Sequence, residues 1–236
     1  MLTPSTYILG IILTSLIIVA GAYFIGQNIW GVIAALGTVG AVVWAIFHQG
    51  FLEWWRRPVL EFLPFMQEPP YFRQANELDA LGNVAAVGYY VNIPIRNRGK
   101  TILKHCEPLI ITMGSRQGGT WQQDENWLPK GLRWSFEGEG ERDLVTERPH
   151  TFSLGKLTTQ HPDLFILSIT YPTTGQPYTL GPGEYCFEIK VFGERAKSIT
   201  SYFHVEWQGG TTQDFNTVNS LFRIFQEDNP PWPTGK

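Results

Sequence analysis

The densest group of side chains in this sequence that could do chemistry is basic. Its five members flank a turn at Gly99 and fall within ten consecutive positions: Arg96, Arg98, Lys100, Lys104 and His105. Converging guanidinium and ammonium groups can bind a phosphate-bearing ligand or anionic lipid headgroups. A solvated hairpin tip is the alternative, because charged side chains are common at exposed turns. The sequence therefore marks these five residues as a candidate site for an anionic ligand.

Patterns that would indicate a metal site or an active site are missing from the sequence. The acidic run from Glu137 to Asp143 does not have the spacing of a calcium loop. Three histidines are scattered without ligand spacing: His150, His161 and His204. Ser115 misses the spacing of a nucleophile elbow by one position. We therefore expect no enzyme activity, no cofactor and no metal.

Charge is distributed unevenly along the 236 residues. The chain has 18 Lys and Arg and 21 Asp and Glu, and none of them lies in residues 1–52. The remainder has the charge density of an ordinary water-soluble domain. A net charge of −3 argues against a nucleic-acid partner, because such proteins usually carry a basic excess. We expect a membrane segment joined to a soluble domain.

Two apolar runs of 20 residues, Tyr7–Gly26 and Ile29–His48, predict a transmembrane hairpin. A helix of that length rises roughly 30 Å, which is about the thickness of the hydrocarbon core. A cleaved signal peptide is the alternative for the first run, but residues 1–6 contain no Lys or Arg. Arg56 and Arg57 follow the second run, so the positive-inside rule predicts a cytoplasmic soluble domain. The predicted localisation is a two-pass protein of the inner or plasma membrane.

Two sets of residues in the second run predict how it contacts its surroundings. Small residues at helical spacing predict a face for close helix packing, on the first run or on another subunit: Gly31, Ala34, Gly37, Thr38, Ala41 and Ala45. Aromatic and basic residues predict the membrane interface: Trp30, Trp44, Trp54, Trp55, Arg56 and Arg57.

The chain after Pro58 has the alternation and composition of strands. Eight runs rich in Val, Ile, Tyr, Phe and Thr are separated by turn residues: 59–65, 87–96, 103–113, 132–136, 151–154, 164–171, 185–192 and 198–207. They predict a mainly β soluble domain, an antiparallel immunoglobulin-like β-sandwich, with a small barrel as the alternative. The unit from Val87 through Asn97 and Gly99 to Met113 resembles a hairpin common in immunoglobulin-like sandwiches. This resemblance implies a fold and no activity.

The tail after Thr211 predicts a short amphipathic helix that Pro230 and Pro231 end. Such a helix must lie on its own sandwich or on a partner. Its candidate docking residues are apolar: Phe215, Leu221, Phe222, Phe225 and Trp232. The predicted organisation is a hairpin with an interfacial segment in residues 1–57, a sandwich in 58–210, and a helix with a Pro-rich tail in 211–236. Cys106 and Cys186 are expected to be reduced and buried, and a disulfide would indicate an inverted topology.

Two functions fit these features. The first is a membrane-anchored, non-catalytic accessory or scaffold subunit whose partners are the lipid bilayer and other membrane subunits or copies of itself. The second is a sensor-effector whose β-domain binds a small anionic ligand of the cyclic-nucleotide kind and drives oligomerisation in the membrane. By architecture alone, the chain is similar to bacterial antiviral effectors with two transmembrane helices and a β-rich domain. No motif residue supports that similarity, so it implies no binding residues.

Overall fold

The computed structural model describes residue 21 and residues 29–135, 141–170 and 176–232. The chain divides into two compact units, one ending at Arg56 and the other beginning at Arg57. This division lies one residue from the boundary expected between residues 57 and 58. The tail, which was expected to form a third domain from Thr211, belongs to the second unit.

The first unit contains helix α1, Ile29–Arg56. Among the described residues, no helix is long and apolar enough to cross a membrane. This finding contradicts the predicted membrane localisation and leaves the transmembrane hairpin without support. The first predicted run, 7–26, lies outside the described residues apart from Gly21. The prediction rested on two predominantly apolar runs of 20 residues without charge, but α1 also includes several glycines, Thr38, His48 and Gln49, which lower its mean hydropathy.

The second unit is built from two antiparallel sheets, whose strands are numbered in chain order. The first sheet contains β1 (Leu60–Phe62), β2 (Phe72–Leu78), β3 (Val84–Asn97), β7 (Arg133–Trp134), β9 (Pro149–Thr158), β10 (His161–Leu167) and β11 (Thr179–Leu180). The second contains β4 (Leu103–Gln117), β5 (Thr120–Gln123), β6 (Lys130–Gly131), β8 (Arg142–Leu144), β12 (Gly183–Phe192), β13 (Ile199–Trp207) and β14 (Phe222–Glu227). This arrangement confirms a mainly β domain of sandwich-like antiparallel sheets.

The core forms where the inward side chains of the long strands meet. In β12, Phe187, Ile189 and Val191 are fully buried and alternate with Glu188 and Lys190, as the period-two pattern predicts. Phe203 of β13 contacts Phe62 of β1 with ring centroids 5.7 Å apart, so the core joins the two sheets. The outward side chains of the same strands form the two surfaces on which functional groups can gather.

The tail is helical over a shorter range than its apolar spacing predicts. Helix α2 covers only Phe215–Leu221, and the Asp214 carboxylate caps it by accepting a hydrogen bond from the Thr217 amide. The chain then becomes strand β14, which pairs with β13. Phe222 and Phe225 therefore lie on a strand and not on a helical stripe. Pairing with the open side of β13 satisfies the backbone of this segment, which outweighs the weak helix preference of so short a sequence.

Candidate functional site

The two arginines of the predicted basic cluster are held by one carboxylate. Arg96 Nε lies 2.8 Å from Glu61 Oε1, and Arg98 Nη1 lies 3.1 Å from Glu61 Oε2. Strand pairing places Glu61 directly opposite Arg96. Burial alone would raise the pKa of Glu61, but the hydrogen bonds and charges of the two arginines lower it below its ordinary value. Glu61 thus neutralises much of the positive charge that a ligand would need.

The remaining members of that cluster lie in the β3–β4 turn and on β4. His105 Nδ1 lies 2.6 Å from the Glu141 carboxylate. Lys104 borders a shallow cavity of about 260 Å³ together with Glu194 and Arg195. Lys100 lies in the turn between β3 and β4. The contacts of Arg96 and Arg98 thus differ from those of His105, and an anion site formed by the five residues stays a prediction.

A different set of basic residues gathers on the outer face of the first sheet. Arg133 of β7 and Lys156 of β9 line two adjoining cavities of about 300 Å³ each, which also share Ser168. Arg73 of β2 lines one of the two. We call this region the cation groove. Its other lining residues are mainly polar or aromatic: Tyr90, Asn92, Trp134, Ser135, Ser153, Ile166, Leu167, Ile169, Pro177 and Tyr178.

Strand register explains why these residues meet. Arg73, Tyr90 and Lys156 are direct cross-strand neighbours on β2, β3 and β9. The Arg73 guanidinium and the Lys156 ammonium each lie 5.9 Å from the centroid of the Tyr90 ring. Cations at this distance from an aromatic face are attracted by its quadrupole. The Tyr90 ring therefore contacts both the Arg73 guanidinium and the Lys156 ammonium in the groove.

One carboxylate, that of Glu77, holds the side chains of Tyr90 and Lys156 in place. It accepts hydrogen bonds from Lys156 Nζ at 2.5 Å, Tyr90 Oη at 3.0 Å and Thr158 Oγ1 at 3.2 Å. Burial would raise the pKa of Glu77, but Lys156 and the two hydroxyl donors lower it overall. Burial and the Glu77 carboxylate together raise the pKa of Tyr90 to about 12. Among the described residues that line the groove, three are cationic and none is acidic.

The floor of the groove is organised by short polar contacts. Ser135 Oγ donates to Asn92 Oδ1 at 2.8 Å, and the hydroxyls of Ser153 and Ser168 lie 2.9 Å apart. Arg133 Nε donates to the Ile169 carbonyl at 3.1 Å, which orients its guanidinium. Hydroxyl and amide groups beside oriented cations are suited to recognising phosphate or carboxylate oxygens.

A third group, Glu184, His204 and Glu206, lies on the outer face of the second sheet. Its donor atoms lie within 4.8 Å of one another, so these three side chains could hold a metal ion.

The other predicted residues fall into two groups. The six small residues of the predicted packing face are all exposed: Gly31, Ala34, Gly37, Thr38, Ala41 and Ala45. The predicted membrane-interface residues that the structure describes are exposed as well: Trp44, Trp54, Trp55, Arg56 and Arg57. The Trp30 side chain lies outside the described part of the chain. Most of the candidate docking residues of the tail pack on their own domain. Phe222 is fully buried, Trp232 is 7% exposed and Leu221 packs against the core. Phe215 contacts Phe72 and Tyr89, whereas Phe225 is 43% exposed.

Both cysteines are free and buried in the part of the chain that the structure describes. They lie on the paired strands β4 and β12 of one sheet, so neither bridges the sandwich. Burial raises the pKa of each thiol to about 12.

Comparison of the chain with protein-family models, with curated proteins and with solved structures finds no match.

Proposed function

We propose that the β-domain is a non-catalytic binding domain that holds a small polyanionic ligand, of the phosphate-ester kind, in the cation groove. The observation that carries this proposal is the meeting of Arg73, Arg133 and Lys156 from three strands on one concave surface. Neighbouring hydroxyls add hydrogen-bond donors for anion oxygens. This proposal assigns the anion site to residues other than those predicted around Arg96 and His105.

The finer fold assignment is also a proposal. We propose that the two sheets form an immunoglobulin-like sandwich, which the antiparallel pairing and the long strands β3, β4, β9 and β12 support. An experimental structure whose strand connections differ from that class would overturn it.

Calorimetric titration of the full-length protein tests the ligand proposal. The probes are inorganic phosphate, a nucleoside monophosphate and a cyclic dinucleotide, each at low and at moderate salt. A hydrogen bond to a charged group contributes about 1.5–3 kcal/mol, so Arg73→Gln should weaken binding by roughly 10- to 150-fold. Arg98→Gln is the matched control, because it removes an arginine of the predicted cluster that lies outside the groove.

The proposal fails if no probe binds to the wild-type protein. It also fails if Arg98→Gln weakens binding as much as Arg73→Gln does, because that result places the anion near Glu61. Binding should decline as salt rises, since the ions screen partly exposed charges.

A second candidate is an accessory or scaffold protein that binds other proteins or copies of itself through α1. Five large aromatic side chains of α1 are about half exposed or more: Trp44, Phe47, Phe51, Trp54 and Trp55. Exposed apolar patches of this kind are typical of interaction surfaces. Light scattering after gel filtration tests the idea, because Ala41→Leu fills the small-residue face and should reduce the size of any assembly. An unchanged size would exclude this face as an interface.

A further inference from the structure

Strand register brings Glu184, His204 and Glu206 together on the outer face of the second sheet. Glu184 of β12 lies directly opposite Glu206 of β13. His204 is two residues before Glu206, so its side chain points to the same face. One donor atom from each residue lies within 4.8 Å of the other two. This group lies on the other sheet from the cation groove and is independent of the proposed ligand function.

His204 is oriented by its neighbours. Its side chain is 14% exposed, and its Nδ1 lies 3.6 Å from Glu227 Oε1 on β14. The Trp121 ring packs edge-on against the imidazole at 4.9 Å, and Phe225 lies at 5.8 Å. These contacts restrict the imidazole to one orientation. A carboxylate that accepts a hydrogen bond from the far nitrogen is the usual outer-shell partner of a histidine that binds a metal, because it fixes the tautomer and raises ligand basicity. Glu227 would form that bond by closing from its 3.6 Å separation.

The other imidazole nitrogen faces the two carboxylates. His204 Nε2 is buried and has no hydrogen-bond partner among the described residues. It lies 3.7 Å from Glu184 Oε2. Buried polar atoms are normally satisfied, and one without a partner calls for an explanation, of which an ion is one. Nε2 is therefore the imidazole nitrogen on the side of Glu184 that an ion can contact.

The charge of the cluster favours a cation. It contains or adjoins three carboxylates, those of Glu184, Glu206 and Glu227. Two arginines offset part of this charge: Arg116 Nη1 contacts Glu184 Oε2 at 2.9 Å, and Arg223 of β14 lies directly opposite Glu206. Carboxylates therefore outnumber the neighbouring arginines by one.

From these observations we propose that Glu184, His204 Nε2 and Glu206 form a site for a divalent transition-metal ion of the zinc class, with Glu227 as the positioning residue for His204. An imidazole with two carboxylates suits zinc better than calcium or magnesium, which prefer oxygen ligands alone. Bond lengths of about 2.0–2.2 Å require the donors of a tetrahedral site to lie about 3.4 Å apart. The carboxylates therefore close inward on binding, and a fourth position stays open to solvent.

Zinc titration of the untagged full-length protein by calorimetry tests this site. We expect one Zn²⁺ per chain. Glu206→Gln should weaken binding by at least about tenfold, and Glu227→Gln should weaken it by 10- to 100-fold, as loss of an outer-shell partner does. His204→Gln should abolish binding. His161→Gln, which removes an exposed histidine of β10, should bind like the wild type.

Cobalt absorption gives a second measurement, which substitution of Glu206 would leave unchanged if that residue had only a structural role. Co²⁺ in a four- or five-coordinate site should give visible bands that Glu206→Gln removes or alters. If His204→Gln fails to fold because its packing against Trp121 is lost, Glu206→Gln decides the question, since it leaves that packing intact. The proposal is overturned if the wild-type protein binds no zinc, or if Glu206→Gln keeps wild-type affinity.

Discussion

Glu77→Gln is the perturbation that tests the cation groove most directly. The substitution keeps the size of the side chain and removes its charge. Glu77 is 16% exposed and Lys156 is 31% exposed, so their contact is partly shielded from water. Gly88 leaves room for this carboxylate, because a Cβ there would lie 2.9 Å from Glu77 Oε1.

The contacts of Glu77 set the size of the expected effect on the free energy of unfolding. The carboxylate accepts from Lys156, Tyr90 and Thr158, and a glutamine has only one acceptor oxygen and places an amide N–H₂ group toward these donors. Breaking a fully buried pair costs about 3–5 kcal/mol, and exposure of the Lys156 side chain reduces this. We therefore expect Glu77→Gln to lower the free energy of unfolding by about 2 kcal/mol.

The pH dependence has a defined sign. The folded-state pKa of Glu77 is lowered from its ordinary value of 4.5. A lowered pKa contributes stability that is fully present above the unfolded-state value and is lost as the pH falls through the folded-state value. The stability difference between the wild type and Glu77→Gln should therefore be constant near neutral pH and shrink below about pH 4.5.

Ligand affinity should change in the opposite direction from stability, if the proposed function holds. Glu77 is the carboxylate that contacts Lys156 among the described residues, so neutralising it raises the charge of the groove by one unit. An extra unit charge close to an anion near the protein surface contributes up to about 1 kcal/mol, or up to roughly fivefold in affinity.

Urea denaturation followed by circular dichroism, on the full-length protein at several pH values, measures the stability effects. Glu125→Gln, in an exposed loop, is the matched control and should change stability by less than about 0.5 kcal/mol. The reasoning about Glu77 is refuted if Glu77→Gln unfolds at the wild-type urea concentration, or if the difference grows at acidic pH.

Three further outcomes are expected. Gly155→Ala should destabilise the protein by about 1–3 kcal/mol, because its Cβ would lie 2.6 Å from the Ile166 carbonyl oxygen and from a ring carbon of Phe165. Gly181→Ala is the control: its Cβ would meet nothing within 4 Å, so a thermal melt should show little change. Phe222→Ala should cost about 3–5 kcal/mol and Phe225→Ala much less, because the first is fully buried and the second 43% exposed; equal effects in denaturation would favour a helical stripe over strand β14. The two cysteine thiols should not react with a chromogenic thiol reagent at pH 8 in the native protein and should both react in denaturant, because each is buried with a pKa of about 12.

The eight strands expected from composition correspond to strands of the structure, because β-branched and aromatic residues are enriched in them and alternate clearly in runs such as 185–192. Strand β2, Phe72–Leu78, has no β-branched residue, so its sequence gave little signal. Strand β14 has apolar residues at spacings that fit a helix as well as a strand, and only pairing with β13 decides between them.

The candidate sites were harder to predict than the strands. Arg73, Arg133 and Lys156 are far apart in the sequence, and only cross-strand register brings them together. His204 and Glu206 alternate on one strand, which places them on a common face, but their partner Glu184 depends on the register between β12 and β13. Spacing along the chain, which identifies many metal sites, contains no information about such pairings.

Strand length differs sharply between the middle and the borders of the two sheets. The long strands β3 and β4 have 14 and 15 residues, and the free side of β4 is divided among β5, β6 and β8, which have four, two and three residues. At the opposite border of that sheet, β14 has six residues. Short, interrupted borders offer few consecutive backbone groups for pairing with another chain. The short borders therefore protect this sheet against edge-to-edge aggregation at high concentration. Its interior strands have apolar sequences of the kind that promote such aggregation when they are exposed.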